Sequence, residues 1–120
     1  MILVDTSFWI DHLRSRNARL VAALEWQEVA VHPFVVGELA CGNLRNRAEL
    51  FALWASLPAA PLATDDEVLT FIESHRLMGR GLGYVDVHLL ASVALGGDLK
   101  LWTRDAALAK AAGRLGLAMH

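Results

Sequence analysis

Met1-Ile2-Leu3-Val4-Asp5-Thr6-Ser7-Phe8-Trp9 begins with a short apolar run that stops on an acid and two hydroxyl residues. A continuous apolar run of this length, ended by polar residues, reads as a buried strand. Thr6 or Ser7 then caps a helix with Phe8, Trp9 and Leu13 on its inner side. The same order returns near the other end of the chain. Leu99 to Thr103 reads as a strand, and Asp105 opens a helical pattern that reaches about Arg114. Between these two units, Glu28 to His32 reads as a short strand, and Pro33 suits the first turn of a helix, where its missing N–H is no loss. That helix carries Phe34 to Cys41 and stops near Gly42.

Helical spacing is also visible from about Ala18 to Trp26, and from Arg47 to Leu57 through Leu50, Leu53, Trp54 and Leu57. Thr64-Asp65-Asp66-Glu67 is a capping box that opens a helix reaching about Met78. Gly79, Gly81 and Gly83 form a link, and Tyr84 to Leu95 is a further helix closed by Gly96-Gly97. Short strands at Pro61 to Ala63 and Leu117 to Met119 complete the pattern. Strands alternating with helices predict an α/β fold with a mainly parallel sheet, here of four to five strands.

At 120 residues the chain suits a single domain spanning 1–120. A hydrophobic content of 55% and a mean hydropathy of +0.38 call for a fully covered sheet, a surface that meets another chain, or both. No run approaches the roughly 18 apolar residues of a membrane span, and Met1-Ile2-Leu3-Val4-Asp5 has no basic leader of the secretory kind. Cys41 is the single cysteine, so an internal disulfide is impossible and a cytoplasmic location is expected. The net charge of -2 gives no argument for a polyanionic partner. Basic residues are nonetheless grouped: Arg14, Arg16 and Arg19, then Arg45 and Arg47, then Arg76 and Arg80, with Arg104 alone.

Ligands of parallel α/β folds bind beyond the carboxyl ends of the strands, and Asp5 and Asp105 stand there. Each also has an ordinary reading, as a turn residue or helix cap. Glu38 lies in a helix that is apolar on every face, which predicts burial and therefore a compensating arginine or cation. Asp86 stands in an equally apolar first turn, among Val85, Val87, Leu89 and Leu90. Asp65, Asp66 and Glu67 are accounted for by their helix start, and Asp11 and Glu49 by polar helix faces. If Asp5, Glu38, Asp86 and Asp105 converge on one end of the sheet, they repel one another unless a cation lies between them. Oxygen ligands of this kind favour Mg²⁺ or Mn²⁺ over zinc.

Together these motifs resemble the PIN domain, in particular the VapC-type toxin ribonucleases of bacterial toxin–antitoxin pairs. The resemblance is carried by Ile2-Leu3-Val4-Asp5-Thr6-Ser7, Val36-Gly37-Glu38-Leu39, Gly83-Tyr84-Val85-Asp86 with Leu89-Leu90-Ala91, and Leu101-Trp102-Thr103-Arg104-Asp105. It implies a three-layer α/β sandwich, Mg²⁺-dependent cleavage of RNA, a homodimer and a cognate antitoxin. Asp5, Glu38, Asp86 and Asp105 match the family's acidic positions as metal-holding, catalytic residues, and Thr6 or Ser7 and Thr103 match its hydroxyls. His88 is expected to be structural. A phospho-acceptor signalling domain fits less well, because Asp5 is unpaired, Glu38 is helical and Lys100 lies inside a strand. A silent scaffold of the same fold would not need all four acids.

Overall fold

The computed structural model describes every residue from Met1 to His120. Strand β1 (Ile2–Val4) lies in the middle of a sheet with order β2-β1-β3, flanked by β2 (Val29–Ala30) and β3 (Lys100–Trp102). Both pairings are parallel, with Leu3 opposite Ala30 on one side and Leu101 on the other. The central place falls to the wholly apolar strand, since both faces of such a sheet are covered. Ile2, Leu3 and Val4 are all buried.

Seven helices flank the sheet: α1 (Thr6–Arg14), α2 (Ala18–Glu25), α3 (Pro33–Ala40), α4 (Arg47–Ser56), α5 (Asp65–His75), α6 (Tyr84–Leu95) and α7 (Ala106–Arg114). The helix α6 is the most deeply set, with every residue from Val87 to Val93 buried. Phe8 of α1 stacks on Trp102 of β3 at 4.2 Å between ring centroids, and Trp9 meets Trp54 of α4 edge-on at 5.8 Å. Leu13 departs from the expected inner face of α1 and is 38% exposed.

The sheet has three strands rather than four to five. Pro61 to Ala63 forms no strand, the nearest pairing being a single bridge from Val31 to Ala59, and Leu117 to Met119 is reduced to one bridge, Leu101 to Ala118. Pro58 and Pro61 bracket the first, and a residue without an N–H cannot extend a ladder. At the second, Leu101 bonds on both sides of Ala118, through Leu117 O at 2.7 Å and Met119 N at 2.9 Å, and the pairing goes no further.

The turn between α6 and β3 admits no side chain at Gly96. A Cβ there would lie 2.7 Å from Leu99 Cβ, and Leu99 is buried at the entry to β3 and cannot retreat. Gly96→Ala is expected to cost about 1–3 kcal/mol, the range for overpacking, read as a lowered urea midpoint with an unchanged m-value.

Candidate active site

Asp5 follows β1 directly and is 6% exposed. It caps α1, with Oδ1 accepting from the Thr6 N–H at 2.7 Å. Its Oδ2 accepts from the hydroxyls of Ser7 at 2.9 Å and Thr103 at 2.7 Å. The Arg104 N–H donates to Ser7 Oγ, and the Asp105 N–H to Thr103 Oγ1, both at 3.0 Å. The two hydroxyls thereby fasten the end of β1 to the turn between β3 and α7. Asp105 is exposed and caps α7, its Oδ2 accepting from the Leu108 N–H at 2.8 Å.

Asp86 sits in the first turn of α6, where Oδ2 reaches back to accept from the Gly83 N–H at 2.9 Å. Glu38 is not buried, contrary to what the apolar make-up of its helix suggests. The helix α3 buries only Val35 and Leu39, one stripe at i and i+4, and leaves Phe34, Gly37 and Glu38 exposed. Apolar side chains on a short helix can remain at the surface once a single face is packed. Glu38 is instead tied to the site by the Thr6 hydroxyl, which donates to Oε1 at 2.6 Å.

These four acids, from the ends of β1 and β3 and from α3 and α6, share one electrostatic neighbourhood. The Asp86 carboxyl is raised above the usual carboxylate range, first by burial and then by the charges of Asp105, Asp5 and Glu38, against an opposing pull from the Gly83 N–H. No arginine or lysine neutralises them. The one ion pair made by an arginine or lysine is Arg104 with Asp11 at 3.0 Å. The arginine partner that burial of Glu38 would have required is therefore absent.

As the side chains stand, no three of them are gathered closely enough to enclose an ion. Repulsion among like charges favours spread, cap-bonded positions. Glu38, Asp86 and Asp105 each bond through one oxygen and keep the other without a protein hydrogen bond. The donor set is entirely carboxylate oxygen, which suits a hard divalent cation.

Behind the acids lies a second polar group that sequence spacing does not reveal. Asp65, expected to serve only its helix start, also accepts from the Tyr84 hydroxyl at 2.9 Å, a bond that raises the Tyr84 pKa. His88 is buried with its Nε2 facing Asp65, and Phe34 packs edge-on against both His88 and His32, at 4.8 and 5.1 Å. Its place agrees with the structural role expected of it.

His32 caps α3 through Nδ1, which accepts from the Phe34 N–H at 3.0 Å, while its Nε2 is buried without a partner. Burial, followed by the proximity of His88, pushes its pKa from 6.5 to about 4. Between those values the unfolded chain binds more protons than the folded one, so stability falls as pH drops through that window. His32→Asn keeps a capping acceptor and is expected to flatten this slope, as read from urea midpoints between pH 7 and 4.

Comparison with known proteins identifies the family of the fold. The PIN domain family model matches residues 2–114. Ribonuclease VapC32 of Mycobacterium tuberculosis, in strains CDC 1551 / Oshkosh and H37Rv, is 50% identical over 119 residues, covering 99% of this chain and 96% of the relative. The crystal structure of PAE2754 from Pyrobaculum aerophilum superposes with a TM-score of 0.60 over 92% of this chain and 78% of that one; at 22% identity it speaks for the fold alone. The chain belongs to the PIN-domain family and, at half identity along nearly its whole length, to that family's VapC-type ribonucleases.

Proposed function

We propose that this protein is a metal-dependent endoribonuclease, the toxin of a toxin–antitoxin pair, with Asp5, Glu38, Asp86 and Asp105 as its catalytic and metal-holding residues. The observation that carries the reading is the hydrogen-bonded web in which Thr6 ties Glu38 to Asp5 and Thr103 ties the Asp105 turn to Asp5, with the charges of all three felt at Asp86 and no arginine or lysine paired with any of the four. Half identity to a protein named a ribonuclease supplies the substrate class.

Mg²⁺, or Mn²⁺ in its place, would be held by Asp5, Glu38 and Asp86, with Asp105 completing the site. Bound there, a divalent ion supplies an acidified water and neutralises charge developing on a phosphodiester. The chain's own part is positional. Ser7 and Thr103 hold the buried Asp5 carboxylate in one orientation, and Thr6 holds Glu38 to the same end of the sheet. Gly83 fixes Asp86 through its N–H.

With water as the attacking group, the products carry a 5′-phosphate and a 3′-hydroxyl. Mapping the ends of RNA cut by the purified protein in Mg²⁺ tests this directly. Ends bearing 2′,3′-cyclic phosphate would contradict it, since they require attack by the ribose hydroxyl.

The partners follow from the same reading: RNA, a second copy of the chain, and a cognate antitoxin, all in the cytoplasm. An open groove of about 760 Å³, lined by Ile10, Leu13, Leu44, Leu50 and Leu53 with Arg14 and Arg45 among its residues, offers an amphipathic antitoxin helix an apolar seat.

A further inference from the structure

We propose that Arg80, Lys110 and Arg114 form a phosphate-binding pocket that grips the RNA strand beside the acidic site, an inference that rests on the ribonuclease reading above. The three side chains line one cavity of about 270 Å³ between the Gly79–Gly83 loop and α7. Lys110 and Arg114 stand one helical turn apart on the same face of α7, with Ala107 and Ala111 as the small residues of that face. Gly79 and Gly81 take φ of +70° and +77°, and a Cβ on Gly81 would touch Ala107 Cβ at 3.7 Å, so the loop lies directly against the helix.

Arg80 is partly prearranged. Its Nε donates to the Arg76 carbonyl at 2.7 Å, which fixes the stem and leaves the terminal nitrogens for a ligand. None of the three cations is paired with a carboxylate, whereas Arg104 is. Cations converging on one cavity without acids between them make a site for an anion.

Both walls of the pocket lead into the proposed metal ligands. The loop runs on to Gly83, whose N–H is held by Asp86, and α7 begins at its Asp105 cap, two residues before Ala107. Along α7 Lys110 stands about 7 Å and Arg114 about 13 Å from Asp105, so a strand held here by a phosphate runs to the acids within a few nucleotides. A chain of net charge -2 with an acidic catalytic site needs such a local concentration of positive charge to retain a polyanion.

The test compares wild type with Lys110→Gln/Arg114→Gln, both exposed positions at which glutamine preserves helix propensity. Binding of a fluorescent single-stranded RNA is followed by anisotropy in EDTA over a range of salt, and KM and kcat are measured in Mg²⁺. The double variant is expected to bind about tenfold more weakly, with a slope of log K against log salt shallower by roughly 1.4, two phosphate contacts at about 0.7 each. KM should rise with kcat nearly unchanged and the melting temperature unaltered. Wild-type affinity and slope in the variant would overturn the pocket alone and leave it to an acidic protein segment. A wild type that neither binds nor cuts RNA would bring down the ribonuclease reading as well.

Discussion

Asp86→Asn is expected to lower metal-dependent RNA cleavage by about three orders of magnitude, the equivalent of the several kcal/mol that a catalytic ion contributes. The metal-free variant should be as stable as wild type or slightly more so. Asp86 is half-buried among three other acids and its carboxyl is raised, so removing its charge relieves both desolvation and repulsion. The asparagine keeps an oxygen for the Gly83 N–H, the one hydrogen bond that Asp86 accepts.

The same change at Asp5 is expected to abolish cleavage with the opposite effect on stability. Charge relief alone favours the amide. Asp5, however, accepts from three donors, Thr6 N–H, Ser7 Oγ and Thr103 Oγ1, and an amide in its place would leave at least one of them without its acceptor. An unsatisfied buried group costs about 1–3 kcal/mol. Cleavage assays and metal-free melts of both variants check the pair, and equal stability changes would contradict the assignment of those bonds.

Trp9→Ala is expected to destabilise the fold more than either carboxylate change or Gly96→Ala, by about 3–5 kcal/mol. Trp9 is 1% exposed, links α1 to α4 through its edge-on contact with Trp54, and leaves a large void when truncated. Trp9→Phe should cost distinctly less, because it keeps an aromatic contact and deletes an indole N–H that is buried without a partner. Urea unfolding of both variants measures the difference. Because Asp5 caps α1, Trp9→Ala should also weaken cleavage at temperatures where the wild type remains folded.

Much of the fold is legible in the residues alone, because its elements are short and sharply punctuated. Tyr84–Leu95 is bounded by glycines at both ends, and the structure gives the helix those limits. Thr64 and Glu67 form the capping box that their spacing predicts. The additional strands are less legible, since a three-residue apolar stretch pairs fully or at one residue depending on prolines and register that periodicity does not encode.

The site divides in the same way. Asp5 and Asp105 are visible from their positions after strands, where an acid both caps a helix and faces the ligand side of the sheet. The apolar make-up of α3 predicts burial for Glu38, whose actual tie is an exposed hydrogen bond from Thr6, 32 positions away in the chain. The convergence of Arg80 with Lys110 and Arg114 has no signature in sequence, since it arises only when a glycine loop lies down on α7. Asp65 shows the converse, a capping-box acid that also joins α5 to α6 through Tyr84.

The most direct measurement is a melting curve of the full chain with and without Mg²⁺. Carboxylates that repel one another until a divalent ion joins them should yield a clear rise, roughly 2.7 kcal/mol at a hundredfold excess over the dissociation constant, on the order of 10 °C. Asp86→Asn should lose most of that increment. A wild-type melt indifferent to both Mg²⁺ and Mn²⁺ would contradict the metal site and the cleavage chemistry built on it.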